Sequence, residues 1–139
     1  MSQMLISSFL RRVLLADAAV SLAAGAVMVL GGAWLQGLLQ LPALLLVPSG
    51  LSLFGYAALL GWLARRASVR RDAVWLLVVG NLAWAVACLA IAAGVAFAPS
   101  VLGQAFLGAQ VIAVLVFAEL QFMALRRAGA ARGSQGQLA

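Results

Sequence analysis

The sequence predicts an all-α protein, a membrane-spanning four-helix bundle running up-down-up-down with both termini cytoplasmic. Three observations carry this. Of 139 residues, 66% are hydrophobic and only 9% charged, against about 45–50% apolar and about 25% charged in soluble domains. Four apolar segments each reach the roughly 20 residues that a helix needs to cross a bilayer. All nine basic residues are arginines, and they occupy only three places along the chain.

The first segment runs from Val13 to Leu35, behind Arg11 and Arg12. Its apolar stretch is longer than the 7–15 residues typical of a secretory signal and contains Asp17, so it reads as a retained span. The residues before it are expected at the interface or as an extension of the helix. The second segment runs from Leu38 to Ala64. Pro42 stands near its start, where a missing N–H matters least, and Pro48 lies about one turn inside. The third runs from Ala73 to Ala98, with Asp72 placed to cap it, and the fourth from Val101 to Leu125 behind Pro99. Strands are not expected, because no alternating ten-residue segments occur. The four spans form one domain over residues 1–127. The Gly-, Ala-, Ser- and Gln-rich stretch 128–139 reads as a disordered cytoplasmic tail.

Arginine placement sets the orientation. Arg65, Arg66, Arg70 and Arg71 separate the second and third spans, and Arg126 and Arg127 follow the fourth. Cytoplasmic loops carry the Lys/Arg excess, so these arginines, with Arg11 and Arg12, face the cytoplasm and contact lipid headgroups. The turns at 35–41 and 99–100 face the other side. The absence of Lys beside abundant Ala, Leu and Gly suits a GC-rich bacterial genome and hence a bacterial inner membrane. A net charge of +6 does not indicate nucleic-acid binding, which needs a continuous basic face.

Chemistry is sparsely equipped. There is no histidine and a single cysteine, Cys88. That leaves no intrachain disulfide, no usual haem or zinc ligand set and no common general base. No catalytic residue, metal site or cofactor is expected, and the chain is read as a non-enzyme. Three acids remain: Asp17, Asp72 and Glu119.

Arginines also gauge depth. Asp17 lies five residues past Arg12, roughly 7–8 Å along a helix, and Glu119 seven before Arg126, roughly 10 Å. Helical spacing groups Asp17, Ser21 and Gly25 on one stripe of the first span, and Asn81 with Ala85, Cys88 and Ala92 on the third. If these stripes and Tyr56 face inward, then Asp17, Ser21, Tyr56, Asn81 and Glu119 form one polar intramembrane cluster. Such a cluster is either a proton-responsive or ligand-binding site, or the polar adhesive of the bundle. Gln110 and Gln121, eleven apart, share a face about 180° from Glu119. That face is expected to meet another protomer, a membrane partner protein or a neighbouring helix.

Phe9–Ala19 (Phe-Leu-Arg-Arg-Val-Leu-Leu-Ala-Asp-Ala-Ala) and Phe117–Gln121 (Phe-Ala-Glu-Leu-Gln) look like family signatures. The chain resembles small four-helix bacterial inner-membrane proteins of unassigned function, including the DoxX-like group in broad outline. That resemblance implies the architecture and the membrane, and no site residue.

Two functional readings follow. One is a non-catalytic accessory, scaffold or oligomerising bundle, with the lipid bilayer and a second copy or membrane protein as partners. The other is a small transporter or proton-linked binding protein using Asp17 and Glu119, its small-molecule ligand unidentified.

Overall fold

A computed structural model describes residues 2–138; Met1 and Ala139 lie outside the described residues. Four helices dominate: α1 Ser8–Leu39, α2 Ala43–Ala64, α3 Arg71–Ala92 and α4 Val101–Gln137. Each is long and apolar enough to cross a membrane. Only 22 to 39% of each candidate span is buried inside the bundle, so most of the helical surface faces outward. That surface is apolar, with Leu30, Leu44, Leu76, Val86 and Ile112 prominent on it. An exterior of this kind belongs against lipid rather than water.

Helix ends follow local chemistry. The Ser7 hydroxyl accepts from the Leu10 N–H and caps α1, and Ser100 does the same for α4 through Gly103. The chain breaks from helical geometry at Gly32 (φ 34°, ψ −116°), which only a residue without Cβ adopts readily. α1 closes on Gln40 in the left-handed region, its N–H on the Gln36 carbonyl. The Gln36 side chain then accepts from the Ala43 N–H at 3.1 Å and caps α2, which Pro42 cannot do with its own side chain.

Several expected boundaries are corrected. α3 ends at Ala92 rather than Ala98, because Gly94 turns left-handed (φ 81°) just beyond it. α4 does not stop near Leu125: the stretch expected as a disordered tail is helical to Gln137, projecting roughly 16 Å past Arg126. Asp72 is not the cap of α3. The helix starts two residues before the expected Ala73, at Arg71, and Asp72 sits in its first turn, paired with exposed Arg70 at 2.9 Å.

A strand pair was not expected. β1 (Gln3–Leu5) pairs antiparallel with β2 (Ser68–Arg70), Met4 opposite Val69. Both of these residues turn their side chains into the core. The clip continues with Ile6 N–H on the Ala67 carbonyl and Arg71 N–H on the Ser2 carbonyl. It holds the N-terminal segment against the α2–α3 loop. Arg11 donates to the Arg66 carbonyl, Arg127 lies over the Phe9 ring, and Arg132 donates to the Gln3 carbonyl. All three arginine groups therefore gather at one end of the bundle. The other end is joined by Ser100, which bonds the carbonyls of Leu38 and Leu39.

α1 packs along α2, α3 along α4, and α1 against α4. α1 and α2 approach closely midway along their length. A Cβ at Gly25 would stand 2.8 Å from the Gly50 carbonyl oxygen, and one at Gly50 2.9 Å from that of Gly25. Small residues permit such backbone contact, which is how helices gain packing energy where lipid removes the hydrophobic drive. The apolar interior is in two parts. One, toward the arginines, contains Leu10, Leu14, Leu60, Val74 and Leu125; the other contains Met28, Leu39, Leu46, Cys88 and Leu107.

Gly25→Ala is expected to destabilise the bundle by about 1–3 kcal/mol through overpacking. Gly55→Ala meets open space and leaves stability unchanged. Melting temperatures in detergent check the contrast.

Candidate functional site

Between the two apolar regions lies a polar layer whose centre is Asp17. Asp17 is 2% exposed, which would be unfavourable without partners, since a bare carboxylate in an apolar medium costs several kcal/mol or more. Each of the four helices supplies one. Ser21 of α1, one turn on, donates to Oδ1 at 3.4 Å. Tyr56 of α2 donates its hydroxyl to Oδ2 at 3.0 Å. Asn81 of α3 donates Nδ2–H to Oδ2 at 3.5 Å. Gln121 of α4 donates Nε2–H to the same oxygen at 2.8 Å, the shortest of the set.

The layer closes on itself. Asn81 gives its second amide hydrogen to Gln121 Oε1 at 3.2 Å, so the two amides are linked as well as both bonding the acid. Asn81 and Gln121 are buried, at 3% and 0% exposure. Among the described residues no fully enclosed side-chain nitrogen or oxygen lacks a hydrogen-bond partner. One helical turn farther from the arginines, Trp84 donates its indole N–H to Gln110 Oε1 at 3.0 Å and ties α3 to α4 a second time.

Asp17, Ser21, Tyr56 and Asn81 are thus brought together, and Glu119 is not. Glu119 lies on the exposed face of α4. Of the expected partners for the Gln110 and Gln121 face, the structure shows neighbouring helices of the same chain: Gln121 is the fully buried member of the layer, and Gln110 bonds Trp84 of α3. α4 is turned about half a revolution from the expected orientation. Complementarity explains it. Asp17 needs donors, which a second carboxylate lacks when ionised, whereas glutamine offers Asp17 an N–H and Asn81 a carbonyl.

No family model, curated protein or solved structure matches this chain. The site is therefore read from its own geometry. Among the described residues no set of three or more His, Cys, Asp or Glu side chains gathers to hold a metal ion. The single ion pair among them is Arg70–Asp72, so Asp17 is held by neutral donors alone.

Arg11 and Arg12 lie in the first turns of α1, Arg65, Arg66, Arg70 and Arg71 at the α2–α3 junction, and Arg126 and Arg127 inside α4, well before its end. Arg11, Arg12, Arg65, Arg66, Arg70, Arg126 and Arg127 are exposed, and Arg71 is half-buried. Arg66 stacks over exposed Trp62 at 4.1 Å and Arg126 lies 6.0 Å from the Phe122 ring.

Gln121→Leu removes the shortest bond to Asp17 and the acceptor of Asn81, and is expected to lower stability by about 1–3 kcal/mol. Thermal melts in dilute detergent test this; a melting temperature equal to wild type would show that α4 does not face Asp17 through Gln121.

Proposed function

We propose that the protein is a non-catalytic, multi-pass membrane protein that acts by assembly, packing the outer face of α4 against a second copy or a partner membrane protein. The observation that carries this is the position of Glu119. It stands on the exposed side of α4, among apolar neighbours and roughly 10 Å along the helix from Arg126. An ionisable group inside the bilayer costs about 2.5–3.5 kcal/mol on insertion scales at the centre and ordinarily faces protein or water. Gly108, Ile112 and Leu115 continue the same face, and a Cβ at Gly108 would meet open space. A partner surface that donates to Glu119 would satisfy the carboxylate and cover this face.

The arrangement of polar groups supports the same reading from inside. Asp17 binds all four helices to one another, the role of a structural hub rather than of a reactive acid. The two acids do not form a joint site, since one is buried at the bundle centre and the other exposed. An up-down-up-down course is supported by the contacts of α1 with α2: Asp17 meets Tyr56 while Gly25 meets Gly50, so position rises along α1 as it falls along α2. Phe9 meets Arg127 while Leu39 meets Gly103, in the same opposed sense. The arginine end faces the cytoplasm of a bacterial inner membrane, by the positive-inside rule.

Two experiments test these statements. A reporter active only outside the cytoplasm is expected to be silent when fused after Arg127 and active when fused after Gln40. The opposite pattern would invert the orientation. For assembly, Ile112→Cys in a Cys88→Ala background is expected to crosslink between chains in membranes, and Glu119→Leu to reduce that crosslink several-fold without changing the melting of the detergent-dispersed monomer. If the crosslink is absent, or is indifferent to Glu119→Leu, α4 is not the assembly face.

A further inference from the structure

Beside the polar layer lies a half-enclosed cavity of about 180 Å³ to which all four helices contribute, room for roughly six water molecules at ~30 Å³ each. Its polar lining is Ser21, Ser52, Tyr56 and Asn81, with the Trp84 indole as a wall. Every polar side-chain hydrogen of these five residues is already engaged. Ser21 and Tyr56 donate to Asp17, and Asn81 donates to Asp17 and to Gln121. Ser52 donates to the Ser49 carbonyl at 2.7 Å, and Trp84 to Gln110. What remains for an occupant is acceptors only: three hydroxyl oxygens and the Asn81 carbonyl. Behind them stands Asp17, with no cation within ion-pair distance among the described residues. The Tyr56 and Trp84 rings add faces that attract positive charge.

An acceptor-only cavity backed by a carboxylate selects a donor-only occupant. A second feature specifies the rest of the molecule. Across Trp84 lies another cavity of about 110 Å³, mostly apolar, with Met28, Leu46, Cys88, Phe106 and Leu107 in its wall beside Ser49 and Gln110. Both cavities lie along the seam between α2 and α3, a pair without the extended contact seen between the other neighbouring helices. Ser52 and Gly80, both exposed, flank the mouth of the polar cavity on this seam.

We infer that the α2–α3 seam is a binding site for a small primary alkylammonium compound, its –NH₃⁺ head in the polar cavity and its alkyl tail along the apolar one. Three N–H donors match the oxygen lining, and the positive charge complements Asp17. The seam opens toward the lipid-facing surface, so the ligand enters from the bilayer rather than from water. An aminophospholipid does not fit, because its phosphate, two carbons from the amine, would be brought against the same acceptors.

The test uses the full chain in phosphatidylcholine nanodiscs, with empty nanodiscs subtracting partition into lipid. n-Hexylammonium is expected to bind saturably at one per chain, and n-hexanol, with the same tail and a neutral head, not to displace it. Ser52→Leu with Gly80→Leu blocks the mouth without touching the hydrogen-bonded layer, and a Cβ at Gly80 meets open space. This pair is expected to weaken binding at least tenfold at an unchanged melting temperature. Asp17→Asn is expected to do the same, and the mouth variants keep the test valid if that substitution unfolds the bundle. Absence of saturable binding, equal displacement by hexanol, displacement by phosphatidylethanolamine, or full binding by the blocked-mouth variant would each overturn the site. Any of these, found with an inserted and normally melting chain, leaves the assembly proposal standing.

Discussion

A single buried carboxylate holds this bundle together. Asp17 accepts from one donor on each helix, and only if all four are in register is its desolvation offset. That requirement couples helix rotations that lipid alone would leave nearly free. Hydrophobicity alone does not distinguish one rotation from another when the solvent is itself hydrocarbon, which leaves the choice to close packing at small residues and to hydrogen bonds. A directional acceptor does, because moving any donor by one residue turns it about 100° away. The apolar regions on either side of the layer then pack around an arrangement that the polar contacts have chosen.

The same constraint explains where sequence reasoning succeeded and where it did not. Four helices are legible because length and apolarity are additive along the chain and need no knowledge of neighbours. The cluster of Asp17, Ser21, Tyr56 and Asn81 is legible because each is the conspicuous polar residue on a small-residue face. α4 carries polar residues on two opposite faces, Glu119 on one and Gln121 on the other, and periodicity alone cannot choose between them. The choice depends on what waits on α1 and α3. An acid already at the centre calls for amides, a rule of donors and acceptors rather than of charge. The β1–β2 clip was illegible for another reason: three residues per strand give no periodic signal, and their partners lie about 65 positions away.

Bundle and cavity have related origins. Helices α1 and α2 approach until backbones touch at Gly25 and Gly50, and α4 closes on α1 and α3. α2 and α3, which share the apolar cores but lack extended backbone approach, are left with a seam. Three of the four side chains that hold Asp17, namely Ser21, Tyr56 and Asn81, also line the space between them, with hydrogens turned toward the acid. Satisfying the acid thus imposes a polarity on the cavity: its polar side chains present oxygen lone pairs because their protons are directed elsewhere.

The strand clip bears on how the chain is made. Residues 2–6 precede α1, whereas their hydrogen-bond partners, residues 67–71, follow α2. Until α2 has been made, β1 is without its partner. Because two helices separate β1 from β2, the strands share a side whichever way the hairpin inserts, and lie on opposite sides only if one helix fails to cross. Pairing of these few residues therefore requires that both helices of the hairpin cross, and is indifferent to their direction.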